Sequence, residues 1–386
     1  MTRTSIRRAA RITLTACALV ALSACSLFSS DDDRYKPAEL TQYEAGVSLR
    51  TVWQTSIGSG SAIGFAPTVL NDAIYAAAPN GRVGKYSLQT GAVQWQADTG
   101  AKLSAGAGSD GTTTVVASLD GEIFAFDDTG KQKWKTRATS NVSIPPLVGY
   151  GLVVVRSGDY RIQAFDVETG DRIWNIQRPG PALALQAPTQ MAMAEGLFIT
   201  GLPGGKMIAI DAASGNVQWE GTVASPRGAG DLERLTDVVG APQMLGPLLC
   251  AVAYQGRITC FDVTQGGRPL WAKDFSSASG MDLDERFAYA ADQHGVVNGF
   301  ALDNGANIWR QAALRNRALT APVVLGGALA VGDYEGYVHM LASGDGHLLG
   351  RVSVGGGAIV SPLTATSRGV LVQTGNGNLV MLDAQY

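Results

Sequence analysis

Apolar and polar positions alternate along this chain in short bursts, and the bursts recur. The stretch GKMIAIDAASGNVQWE, residues 205–220, shows the unit: a short alternating run, Asp211, a Ser-Gly turn, then a second run carrying Trp219. Alternation with a period of two marks a strand, and glycine after the polar residue supplies the positive φ of a tight turn, so the unit is a hairpin. It returns as GRVGKYSLQTGAVQW ending at Trp95, GEIFAFDDTGKQKW at Trp134, RIQAFDVETGDRIW at Trp174, GRITCFDVTQGGRPLW at Trp271 and GVVNGFALDNGANIW at Trp309. A glycine stands four residues before each tryptophan: Gly91, Gly130, Gly170, Gly215, Gly267 and Gly305. A seventh copy, GYVHMLASGDGHLLG, keeps Gly346 but has Gly350 where the tryptophan should be. An eighth, GNLVMLDAQY, runs out before reaching one.

Another apolar strand precedes each hairpin, such as AIYAAA (73–78) or LVVVRS (152–157), and a fourth opens ahead of it at Pro67, Gly106, Pro145, Pro188, Pro242, Gly280, Pro322 or Pro362. Four antiparallel strands repeating about every forty residues predict a β-propeller blade. The expected fold is therefore all-β, an eight-bladed propeller of four-stranded antiparallel blades over residues 48–386. The last copy lacks its outer strand, and SLRTVWQTS (48–56) holds Trp53 with no strands before it. Pairing the two closes the ring and removes an unpaired edge. The tryptophans then pack between neighbouring blades.

Composition narrows the function. The chain has 386 residues, 48 glycines, 16% charged residues and a net charge of −3, without the basic excess a nucleic-acid-binding surface needs. No internal apolar run reaches the roughly 20 residues of a membrane helix. The three histidines, His294, His339 and His347, show no metal-ligand spacing. Asp127, Asp166, Asp211 and Asp262 recur at one position in the hairpin, which points to turn stabilisation rather than catalysis. Cys250 and Cys260 flank CAVAYQGRITC. A two-residue turn at Gln255-Gly256 puts Cys250 opposite Phe261 and Cys260 on the other face, so two unbridged buried thiols are expected.

The N-terminus reads as export machinery. Arg3, Arg7, Arg8 and Arg11 precede a short apolar stretch, Ile12 to Ala21, and then Leu-Ser-Ala-Cys at 22–25. This resembles a bacterial lipobox. The resemblance implies a signal peptide over 1–24, lipidation of Cys25, and, with Ser26 following, an anchor in the outer membrane facing the periplasm. Residues 25–47, polar and with three aspartates in a row, are expected as a flexible tether rather than a metal site.

The blade repeat also resembles that of quinoprotein dehydrogenases, which makes a quinone enzyme one alternative and a periplasmic ligand-binding propeller another. Stacking a quinone needs an aromatic plate, and no tryptophan is left over for one. The expectation is thus a non-catalytic protein without cofactor or metal. Connections from an outer strand to the next inner strand share one face of a propeller. Two adjacent ones stand out: Trp174 to Pro188, with Leu183 and Leu185, and Trp219 to Pro242, with Asp231, Glu233, Arg234 and Asp237. Long loops on a rigid scaffold are where binding resides. Lipobox, bare propeller and the segments PALALQAP and LERLTDV together resemble the BamB family, lipoproteins of the outer-membrane β-barrel assembly machine. The resemblance implies docking on the POTRA region of BamA through Leu183, Leu185, Gln186, Arg234 and Asp237, and a part in handling unfolded outer-membrane proteins. Gln186 and Val239 depart from the family pattern, which has Arg and Asp there.

Overall fold

The computed structural model describes residues 35–60, 62–181 and 183–385. The expected signal peptide and Cys25 lie outside the described residues. From Ala38 onward the strands form eight four-stranded antiparallel sheets. Blade one is typical, with Thr68–Leu70 innermost, then Ala73–Ala77, Arg82–Ser87 and Val93–Asp98 outermost. Blade eight takes Thr364–Thr366, Gly369–Gln373 and Asn378–Gln385 from the C-terminus and Ser48–Ser56 from the N-terminus. That last pairing runs from Ser48 opposite Gln385 to Ser56 opposite Asn378, the predicted closure.

No single core exists. Each blade sends alternate residues of its middle strands to opposite neighbours. In blade three, Val153, Val155 and Phe165 pack toward blade two, while Leu152, Val154, Ile162 and Ala164 pack toward blade four. Burial on both faces is why these strands read as continuous apolar runs rather than strict alternations. The same two-sided packing recurs around the ring, and residues of blades eight and one join in a cluster of their own, so the ring is closed.

The tryptophans bind blade to blade. A Cβ placed on Gly130 would lie 2.8 Å from the Trp95 ring, on Gly170 2.7 Å from Trp134, and on Gly91 2.4 Å from Trp53. Each indole therefore lies flat on the turn glycine of the following blade, where no larger residue fits. Its N–H often adds a bond to that blade, as from Trp134 to the Val167 carbonyl (2.9 Å) and from Trp53 to Leu88 (3.1 Å). The residue directly before the tryptophan position is skipped in the ladder of every outer strand, for example Val52, Ile173, Leu270 and Ile308. Such a bulge re-aims the next side chain and bends the outer edge, which discourages pairing with other chains.

Blade seven explains its missing tryptophan. A Cβ on Gly350 would lie 2.5 Å from the Val47 carbonyl oxygen, because the incoming chain occupies that space. Val47 donates its N–H to Leu349 (3.0 Å) and is buried. Residues 38–47, expected as part of the flexible tether, are instead a strap along the outer edge of this blade. Ala38 donates to the Arg315 carbonyl, Leu40 packs into the interface of blades six and seven, and the Arg351 guanidinium stands 5.8 Å from the Tyr43 ring. Arg317 holds the start of the strap by donating to the Ala38 carbonyl (2.9 Å) while paired with buried Asp333 (2.8 Å) and with Glu335.

The cysteine expectation is overturned. The hairpin turns about Gln255, whose φ is 45°, so the register pairs Cys250 with Cys260 rather than with Phe261. Directly paired residues share a face. The two Cα atoms are 4.1 Å apart and the sulfurs form a disulfide. Pro242 likewise does not open blade five: the inner strand begins at Val238 and is bulged between Val239 and Gln243.

Candidate docking face

The two longest connections, residues 178–190 and 223–237, lie side by side on one face, as expected from their positions in blades three to five. They are tied together rather than loose. Gly240, in the left-handed region at φ 74°, donates to the Pro188 carbonyl (2.7 Å) and accepts from Gln190 (3.1 Å). A Cβ there would lie 2.6 Å from the Gly280 backbone, so only glycine allows this approach.

Asp237 is the principal tie. It is 4% exposed, and its carboxylate accepts from the Leu185 N–H (2.5 Å) and the Gly204 N–H (3.1 Å). It therefore joins the first loop, the turn of blade four and the start of blade five. The reading of Asp237 as a surface contact has a different basis in the structure: this carboxylate shapes the surface from beneath. Leu185 is half-buried and packs with Ala187 on the cluster around Val239 and Cys250. Leu183 is 45% exposed, and Gln186 and Arg234 are also exposed. The predicted residues thus split into two that build the loops and three that face solvent.

Leu232, 70% exposed at the tip of the second loop, escaped the sequence reading although an apolar residue between Asp231 and Glu233 is a signal in itself. The Glu233 carboxylate accepts from Ala229 (2.8 Å) and Gly230 (3.2 Å), closing the turn that presents Leu232. Ile63, Leu119 and Tyr334, also exposed, come from connections and turns on the same face. Tyr160 braces the first loop, with its hydroxyl on the Pro181 carbonyl (3.0 Å) and its ring against Gly180. Its φ of 62° is unusual for a bulky residue.

Two clefts open on this face, of about 440 and 350 Å³, and Ile63 and Gln186 line both. Arg156, at the end of Leu152–Arg156, lines the larger one. Burial pulls its guanidinium down to about 10, with Asp237 opposing that, so it stays a cation at neutral pH. No sequence signal marked it, since it ends an ordinary apolar strand. Among the inner strands a third cavity, about 370 Å³, is lined by Pro67, Pro146, Gln243 and Asp282. Burial raises the Asp282 carboxyl, and its oxygens accept from the Val324 (2.8 Å) and Leu283 (2.9 Å) amides.

Little here suits quinone chemistry. All seven tryptophans occupy the outer-strand position or its equivalent in Ser48–Ser56, so none faces the channel as a plate. Among the described residues no three His, Cys, Asp or Glu side chains gather as a metal site. The repeated aspartates are turn residues: Asp127 accepts from Thr129 and Lys131, Asp211 from Ser214, and Asp262 from Thr264. Hydrogen bonds from Thr129, Ser214 and Thr264 hold these carboxyls below the usual carboxylate value.

Comparison with known proteins agrees with this geometry. A family model described as "Outer membrane protein assembly factor BamB" matches residues 79–311 and 293–385. A protein of that name from Bordetella pertussis is 70% identical over 366 residues, 95% of each chain. One from Burkholderia pseudomallei is 36% identical, covering 97% of this chain and 98% of its own. The crystal structure of BamB from Moraxella catarrhalis superposes with a TM-score of 0.80 at 25% identity, covering 87% of this chain and all of that one. A europium-containing methanol dehydrogenase reaches 0.67 at 16% identity, covering 86% of this chain and 85% of that one, a likeness of fold alone. Blade repeat, closure and whole-length identity point the same way: the chain belongs to the BamB family of outer membrane protein assembly factors, a family of non-enzymatic propellers.

Proposed function

We propose that this protein is a lipid-anchored scaffold of the β-barrel assembly machine. It is acylated at Cys25, held on the periplasmic face of the outer membrane, and docks on the POTRA region of BamA. In that position it assists the assembly and insertion of outer-membrane β-barrel proteins. The carrying observation is the pair of loops cross-tied by buried Asp237, which present Leu183 and Leu232 outward from one rigid face. Pre-ordered loops bind at lower entropic cost, and exposed apolar anchors beside charges are what a docking surface needs. The strap lends further support, because Ala38 joins the propeller at the connection holding Arg315 and Arg317, on the loop-bearing face.

The test is a pull-down from detergent-solubilised membranes, comparing wild type with a Leu183→Ala, Leu232→Ala variant of equal thermal stability. BamA co-purifies with wild type and is lost with the variant. Equal recovery with both would move the interface elsewhere, and no recovery with wild type would end the reading.

A further inference from the structure

The larger cleft holds one charged side chain, Arg156, and its charge is not matched by an ion pair. Its geometry is one-sided: Nη1 donates to the Gly201 carbonyl and to Thr200 Oγ1 (3.4 Å), both neutral. Among the described residues no carboxylate lies within ion-pair distance, and Nε and Nη2 make no hydrogen bond. Asp237, the carboxylate that influences it, is already committed to the Leu185 and Gly204 amides. Arg317 offers the contrast within the same chain, since its guanidinium is closed by Asp333, Glu335 and the Ala38 carbonyl.

The cleft around Arg156 combines two characters. Ile63, Leu119 and Ile144 give it apolar walls, and Ser104, Asn141 and Ser143 give it hydrogen-bonding groups. Its volume of about 440 Å³ falls in the range of sites that bury a small ligand or a few side chains. Guanidinium groups recognise carboxylates through paired N–H donors, and the free edge of Arg156 is such a pair.

We propose that this cleft is a binding subsite for a carboxylate carried on an apolar polypeptide segment, with Arg156 as its anchor. The ligand class rests on the reading that this face docks polypeptide. The carboxylate could be an Asp or Glu side chain of a folded partner or the free end of a client chain, and the two are separable by probe.

Isothermal titration of the full chain in detergent micelles tests this with four probes. They are acetyl-Leu-Glu-Leu amide and its Gln counterpart, and acetyl-Leu-Thr-Phe as free acid and as amide. At least one acid should bind about tenfold more tightly than its neutral partner. Preference for the internal acid identifies a partner side chain, and preference for the free acid identifies a chain end. In Arg156→Gln the discrimination should vanish, and in Arg156→Lys part of it should survive. Equal binding of acid and neutral probes, no binding up to millimolar concentration, or unchanged discrimination in Arg156→Gln would overturn the proposal. The wild-type comparison of probes decides even if both variants misfold. Because the Leu183→Ala, Leu232→Ala variant leaves the cleft intact, it should still discriminate, so failure of the docking reading and failure of the subsite are told apart.

Discussion

Replacing Asp237 separates a clamp from a contact. In the structure its two oxygens hold one amide in each of two segments, Leu185 and Gly204. A hydrogen bond to a charged acceptor contributes about 1.5–3 kcal/mol net. Asp237→Ala removes two of them, but Leu185 is only half-buried, so water can replace part of the loss. Local closure of the 178–190 loop should therefore weaken by about 2–3 kcal/mol, which is roughly a 30- to 150-fold rise in amide exchange at Leu185 and Gly204. Asp237→Asn keeps one acceptor and should show about a tenfold rise. Hydrogen exchange read by mass spectrometry on peptides spanning these amides gives the answer, with a blade-seven peptide as the unaffected control. Partner binding should fall in proportion to the loss of protection. If Asp237→Ala loses the partner while Leu185 stays fully protected, the side chain acts by touching the partner and the clamp reasoning is wrong.

Three further outcomes follow from other parts of the ring. The Cys250–Cys260 bridge closes a loop of separation 10, which constrains the unfolded chain by about 2–3 kcal/mol; Cys250→Ala, Cys260→Ala should lower Tm by several degrees, and an unchanged Tm would refute a structural role. Gly350→Trp restores the repeat but collides with Val47, so it should release residues 38–47 to limited proteolysis while wild type resists. In blade seven, burial holds the His339 imidazole below the ordinary histidine value, with Asp333 opposing that. A depressed folded value means stability is full above the ordinary value of about 6.5 and declines as pH falls below it. Buried Asp333, despite its desolvation, is kept below the usual carboxylate value by His339, the Tyr337 amide and Arg317, and it acts in the same direction at lower pH. Melting curves between neutral pH and pH 5 should slope downward in wild type and flatten in His339→Gln; parallel slopes would exclude His339 as the source.

Much of this protein is legible from its letters because its structure is local and repeated. Blade number, strand order and ring closure follow from the period, and the closing strand was identifiable because Trp53 had no hairpin of its own. The turn roles of Asp127, Asp211 and Asp262 were equally legible, since a Thr or Ser two or three residues on is enough to satisfy them. What depends on contacts between distant segments was not. The cysteine pair turned on a one-residue difference in hairpin register about Gln255, which moves every side chain of a strand to the other face. Gly350 gained its reason only when the strap was seen to fill the space of the missing indole. At the candidate site, sequence marked the two long loops, yet it could not distinguish Asp237, buried beneath them, from Leu183 on top, and it passed over Leu232. Arg156 carried no mark at all, because a cleft is made by side chains from several blades and exists only once the ring has closed. Periodicity is a property of neighbouring residues and is written in the chain; burial of a charge and the shape of a face are properties of the packed ring.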